Sequence, residues 1–349
     1  MQVFSLDLGN KQTKVRSSMG EYVLPSNFLY KADMPISFGT NNSNKDTHTF
    51  SVPFSEDEYV WGKDISQLHL DEYMVDTIMY GNRYEDDSFK LLTNFSIGLL
   101  ARDFVEAKKG VLEVAITIGL PTGDYADQTK LNAITEVLDG QHQITIDGQI
   151  LTVRVKQIYI LPQPIGTLYN ELLDDKGFIE NKDLLDKMIG VVDIGGGTIL
   201  IDTILNFELS GRNRQQFNTG ANSLYEVIDK QIDGHVSLHQ LADELRKGMK
   251  DKKFSYTFSA NRKDDITDIV NKEIDRFTRQ LIANVKTTLK NIENIDLLLV
   301  TGGGANLVNR KLVKAAFAET EIKFVSETET ANVDGFYKFG LDQESKRNK

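Results

Sequence analysis

The stretch GVVDIGGGTILID, residues 190–202, sets Asp193 between an apolar run and three consecutive glycines, after which the chain turns apolar again. Glycine inside a strand loses backbone entropy and offers no side chain to pack. A buried strand broken in this way marks a point where something must come close to the backbone. The pattern reads as strand, turn and strand, with the carboxylate at the end of the first strand.

A second stretch, SLDLGNKQTKV at 5–15, repeats the plan of apolar strand, Asp, apolar residue, Gly, turn and strand. Asp7 aligns with Asp193 and Gly9 with Gly195, about half a chain apart, so the sequence predicts two similar halves facing each other across a cleft. A glycine-rich turn presents bare N–H groups to an anion, because no Cβ blocks the approach. The neighbouring carboxylate repels that anion but can hold a hydrated Mg²⁺, which binds through one or two carboxylates plus phosphates. Two such hairpins make a clamp on a nucleotide's polyphosphate, with Asp7 and Asp193 at the metal and Lys14 adding a point charge. Taken alone, DIGGGT serves equally well as a tight turn capped by Asp193; it is the pair that favours the clamp.

A third glycine motif, LLLVTGGGANL at 297–307, ends an apolar strand in Gly302–Gly304 and runs towards a helix. Such a turn admits a flat ligand or a phosphate, and by itself could equally ease a strand-to-helix corner. It is not the G-x-G-x-x-G dinucleotide fingerprint, and the chain has no Walker G-x-x-x-x-G-K-[ST].

The remaining sequence sets bounds. At 349 residues, 40% hydrophobic and 26% charged, the chain is of ordinary globular composition, with room for two cores. A net charge of −11 disfavours direct nucleic-acid binding, and the absence of cysteine excludes disulfides and thiol chemistry. The N-terminus lacks the basic and apolar regions of a signal peptide, and no apolar run approaches a membrane span, so a soluble cytoplasmic protein is expected. Helices are predicted over 86–109 and 266–292, the latter with Ile269, Ile274, Phe277, Leu281, Val285 and Leu289 on one face, and another opens just after Pro164. A buried strand is predicted over 111–121, a run of strands around the turn pair Asp147-Gly148 over 142–164, and a solvated, Asn-rich loop over 36–49. Strands and helices mixed through the whole length give an α/β fold.

The three glycine motifs in this order resemble those of the actin, Hsp70 and sugar-kinase superfamily. FSLDLGNKQTKV resembles its first phosphate loop, VVDIGGGTILI its second and VTGGGANL its adenosine motif. The stretches at 159–170 and 329–340 sit where its two interdomain helices belong. Within the superfamily, GLPTGDY at 119–125, FNTGANSLYEVI at 217–228 and the ANVDGFYKFG ending resemble the ParM (StbA-type) actin-like proteins that segregate plasmids, of the staphylococcal kind. The resemblance implies an actin-like ATPase fold of two RNase H-like domains, 1–161 plus 325–349 and 162–324, across a nucleotide cleft.

It also implies roles. Asp7 and Asp193 resemble the Mg²⁺-associated aspartates. Gly9, Asn10 and Lys14, with Gly195, Gly196, Gly197 and Thr198, resemble the phosphate contacts, and Gly302, Gly303, Gly304 and Asn306 the adenosine contacts. Gln163 falls where the family places the residue that orients the attacking water, a glutamate in several bacterial members. An amide cannot take up a proton at neutral pH, but it can position water by hydrogen bonds. Glu244 and Lys247 lie where the family often contacts the purine, although a solvated helix face explains them as well. His235 and His239 have helical i, i+4 spacing that suits a metal, yet no third ligand is evident and a surface face is favoured.

The implied function is a slow, polymerisation-coupled ATPase using ATP or GTP with Mg²⁺. It assembles head to tail with itself and reaches plasmid DNA through a DNA-binding adaptor, with no membrane partner. The alternatives are a small-molecule kinase of the same superfamily, or a cell-shape or chaperone-like ATPase module.

Overall fold

In the computed structural model, residues 1–34, 46–68, 70–77, 83–210, 213–234, 236–259 and 261–347 are described. Most of the Asn-rich stretch, 36–45, lies outside them, as do His235 and the side chain of His239; residues 48–51 form a strand instead of continuing the loop. Contacts divide the chain into two compact units, residues 1–181 with 332–349, and residues 182–331.

The first unit is built on a ten-stranded sheet. Gln2–Leu8 pairs antiparallel with Gln12–Arg16 on one side and parallel with Leu112–Leu120 on the other, and Gln149–Pro162 lies parallel beyond that. The second unit repeats this arrangement. Ile189–Ile194 pairs antiparallel with Ile199–Leu205 and parallel with Leu297–Thr301, with Glu321–Phe324 parallel beyond. The echo between residues 5–15 and 191–201 is therefore an echo of topology: each unit has a hairpin whose first strand lies inside a sheet, antiparallel to one neighbour and parallel to the other. Asp7 lies in register with Lys14, and Asp193 with Leu200 and Thr301. Strands sandwiched on both faces show continuous apolar runs rather than alternation, as LEVAITIGL and LLLVT do.

Helix Asp87–Ala101 covers the first sheet, laying Phe89, Leu92 and Phe95 into one core with Phe4, Leu6, Val114 and Ile116. Asp86 caps it by accepting a hydrogen bond from the Ser88 amide. The single helix expected over 86–109 is in fact two, Asp87–Ala101 and Val105–Lys109. Between them Phe104 takes an extended conformation that buries its ring 5.8 Å from that of Phe4, so burial of the aromatic overrides helix continuity.

The boundary near residue 161 also moves. Helix Gln163–Leu172 groups with the first unit, where it packs on strands Leu112–Leu120 and Gln149–Pro162 and meets helix Ala331–Arg347. Gly166 and Gly335 meet backbone to backbone, and the Phe336 ring fills the space left by Gly119 and Gly166. Thr167 Oγ1 donates to Asn332 Oδ1 at 2.7 Å, and Lys338 Nζ donates to the Asn170 carbonyl at 3.0 Å.

In the second unit, helix Thr267–Thr288 joins two cores. Its first half carries Val270 and Ile274 into a cluster with Leu224, Ile228, Leu241, Leu245 and Phe254. Its second half carries Leu281 and Val285 against Val192, Ile194, Leu298 and Val300. It ends at Thr288 rather than 292, with Leu289 turning out of helical geometry while staying buried. Among the described residues no helix is long and apolar enough to cross a membrane.

Candidate nucleotide site

In the first unit the hairpin delivers Asp7 at 2% exposure. Lys14 Nζ stands 3.4 Å from Asp7 Oδ2, and Gln163 Nε2 donates to Asp7 Oδ1 at 3.0 Å. The carboxylate only accepts, so the Gln163 amide must turn its NH₂ group to Asp7. Gln163 reaches this position as the first residue of its helix, directly after the strand ending at Pro162. Pro164 is tolerated there because the N–H groups of a first helical turn have no intrahelical partner.

The turn after Asp7 has its acceptors occupied from behind. Arg83 Nη2 donates to the Leu8 carbonyl at 3.0 Å, Ser26 Oγ to the Gly9 carbonyl at 2.6 Å, and Arg83 Nη1 to Asn10 Oδ1 at 2.7 Å. The Ser26 amide donates to the Lys11 carbonyl at 3.0 Å. Burial pushes the Arg83 guanidinium down from its ordinary value, opposed by the field of Tyr84, Asp124 and Asp7. The Tyr84 phenol, pushed up by burial and by Asp124, donates to Asp124 Oδ2 at 2.7 Å, which ties GLPTGDY to the same corner.

In the second unit the Gly195 amide donates to the Thr198 carbonyl at 2.8 Å and closes the turn. Helix Ala221–Asp229 sits end-on behind it. The amides of Gly220, Ala221 and Asn222 donate to the carbonyls of Gly197, Gly195 and Gly196 at 3.2, 3.0 and 2.8 Å. The first amides of a helix lack partners within it, and here they take up the turn's carbonyls. Gly220 is required for the approach: a Cβ there would lie 2.5–2.6 Å from the Gly196 and Gly195 carbonyl oxygens and the Thr198 nitrogen.

The third motif folds onto the second. Gly302, with φ +85°, lies against Asp193 Oδ1 and the Ile194 backbone, and its amide donates to the Thr328 carbonyl at 3.0 Å. Gly304 packs on Ile194, and Asn306 is exposed in the turn Gly303–Leu307. Asp193, 6% exposed, the half-buried Gly195–Thr198 turn and Gly302–Gly304 thus come together within this unit. Glu244, half-buried, and Lys247, exposed, stand on helix Leu238–Gly248, whose Leu241 and Leu245 pack in the other core.

Sequence reasoning missed Arg83, Ser26 and Gly220. Gly220 had a local signal, a glycine in NTGANS directly before the residues that form helix Ala221–Asp229. Arg83 had none, because its partners precede it by more than seventy residues.

Among the described residues no group of three or more His, Asp or Glu side chains gathers to hold a metal. What the hairpins offer is one buried carboxylate each, beside a glycine turn. A single carboxylate of that kind suits Mg²⁺ that completes its shell with water and phosphate oxygens, not an ion caged by protein.

Residues 5–166 match the actin-like proteins N-terminal domain, and residues 191–314 match the C-terminal domain of the archaeal actin homologue, MreB-like. Both matches are to domains of actin-like proteins, one in each half of the chain. Among solved structures, the apo psk41 ParM protein is 26% identical, with a TM-score of 0.79 over 100% of this chain and 99% of its own. The archaeal actin homologue Ta0583 in complex with ADP is 18% identical, TM-score 0.73, over 99% of this chain and 100% of its own. The Alp12 filament structure is 14% identical, TM-score 0.67, over 98% and 99%. The last two are likenesses of fold. No curated protein matches the chain in sequence.

Proposed function

We propose that this chain is a cytoplasmic ATPase that polymerises head to tail into nucleotide-dependent filaments and segregates plasmid DNA through a DNA-bound adaptor. The observation that carries the nucleotide chemistry is the grouping of Asp7, Lys14 and Gln163, with both Asp7 oxygens engaged at the end of a glycine hairpin. The second unit's like hairpin, with Asp193, supports it. The likeness to a ParM protein over the full chain supports the assembly and segregation reading.

Asp7 and Asp193 would hold Mg²⁺, which when bound offsets the charge on the phosphates. The turns at 9–11 and 196–197 would offer N–H groups to phosphate oxygens, since the carbonyls of 9, 11 and 195–197 are already taken and the Gly195 amide closes its own turn. Lys14 adds positive charge beside Asp7. Gln163, its NH₂ fixed on Asp7, has its amide oxygen left to accept from the attacking water. It orients that water without removing its proton, which makes hydrolysis slow and suits it to timing the life of a filament subunit. A head-to-tail contact is heterologous and does not close on itself, so it gives filaments. The acidic net charge favours attachment to DNA through an adaptor.

The test is light scattering with pelleting of the purified protein in ATP, GTP, ADP or no nucleotide, across salt concentrations. Polymer that forms with triphosphate and decays on hydrolysis is the expected result. No nucleotide-dependent polymer under any condition would overturn the filament reading, and ATP consumption that requires a sugar or short acid would replace it with a kinase.

A further inference from the structure

Four consecutive residues of the first hairpin turn, Leu8 to Lys11, each have an acceptor held by groups distant in sequence. Two residues do this, Ser26 and Arg83. Ser26 Oγ donates to the Gly9 carbonyl and its amide to the Lys11 carbonyl, and Thr13 Oγ1, 2.9 Å away, can donate to Ser26 Oγ. Arg83 spans Gly9, with one terminal nitrogen on the Leu8 carbonyl and the other on Asn10 Oδ1. Arg83 is itself fixed. It is 9% exposed, its guanidinium stacks 4.8 Å over Phe89, and the Phe89 ring meets Tyr84 edge-on at 5.2 Å.

The consequence falls on Asn10, which is exposed although its amide oxygen is taken. An amide whose oxygen is held by a guanidinium has only its two N–H donors left to present. An anion site needs that polarity, and an unconstrained asparagine would present either end.

We propose that Arg83 is a positioning residue of the nucleotide site: by clasping the Leu8 carbonyl and Asn10 Oδ1 together, it sets the Asn10 NH₂ towards a phosphate oxygen. This rests on the reading of the first hairpin as a phosphate loop. Arg83 touches no phosphate; it acts through Asn10. Lysine keeps the charge at this position but lacks the planar fork that reaches two acceptors at once.

The test is ATP affinity by calorimetry in Mg²⁺, with thermal unfolding of each variant alongside. Arg83→Lys and Asn10→Ala should each weaken ATP about tenfold, the effect of losing one hydrogen bond to a charged group. The double variant should be within about twofold of either, because residues acting through one another are not additive. Asn10→Asp keeps the acceptor for Arg83 but presents oxygen where the NH₂ stood. It should lose at least as much affinity as Asn10→Ala while melting like the unaltered protein, and it decides the matter if Arg83→Lys does not fold. Single-variant losses that multiply to about a hundredfold, or Asn10→Asp binding ATP as the unaltered protein does, would overturn the proposal. Failure of the unaltered protein to bind ATP would remove the phosphate-loop reading and this inference with it.

Discussion

Replacing Gly302 by alanine puts a methyl group where the third glycine motif lies against the second. The φ of +85° and ψ of 158° fall in a region held almost entirely by glycine, and a side chain there costs roughly 1–3 kcal/mol. The added Cβ would also meet Asp193 Oδ1, with the Ile194 carbonyl oxygen at 2.5 Å and the Ile194 nitrogen at 2.7 Å. Backbone atoms cannot swing aside as a side-chain tip can, so overpacking adds about 1–3 kcal/mol. The total, about 2–6 kcal/mol, is a large share of the ~5–15 kcal/mol that holds a domain together. For a unit the size of 182–331 it corresponds to a fall of roughly 5–20 °C in melting temperature. Gly197→Ala is the control. Nothing lies within 4 Å of a Cβ there, so stability should hold or rise by about 0.4–1 kcal/mol, while ATP binding weakens as the methyl obstructs the phosphate. Both variants are read by calorimetric unfolding without nucleotide, then by ATP titration. If Gly302→Ala melted within about 2 °C of the unaltered protein, the packing argument would be wrong.

Gln163→Ala should slow hydrolysis by about 10²-fold with ATP still bound, whereas Asp193→Ala should abolish it, in a phosphate-release assay paired with binding measurements. Equal loss of ATP binding in both would refute the division of roles. Gly119→Ala and Gly335→Ala should each destabilise the first unit by about 1–3 kcal/mol in urea unfolding. Phe336→Leu should partly rescue Gly119→Ala, whose clash is with the ring, but not Gly335→Ala, whose clash is with the Gly166 carbonyl. EDTA should stop hydrolysis yet leave the melting temperature of the nucleotide-free protein unchanged, because no cluster of protein ligands depends on a metal among the described residues.

What could be read from the sequence was what neighbouring residues decide. The hairpins were legible because an apolar run, an aspartate and a glycine turn all fall within a dozen residues. Their equivalence was legible because the same plan recurs, and both sheets bear it out in strand order. Legibility failed where a partner is far along the chain. Phe104 breaks the first long helix to reach Phe4, and nothing in FVEAKK announces it. Helix Gln163–Leu172 groups with the first unit and meets Gly335 and Phe336 there, contacts that no reading of ILPQP could supply. Arg83 looks like any surface arginine until Leu8 and Asn10 are placed beside it.

The split make-up of the first unit bears on how the protein is made. Residues 332–347 supply Phe336, which fills the space over Gly119 and Gly166, so this unit still lacks a packing partner when its own sheet has been synthesised. The intervening unit, 182–331, is continuous and can complete its core first, since domains fold as units during synthesis. On the ribosome the order of maturation is then the reverse of the order of translation. The first hairpin therefore sits in a unit that gains Phe336, its packing partner over Gly119 and Gly166, only after the whole of 182–331 has been made.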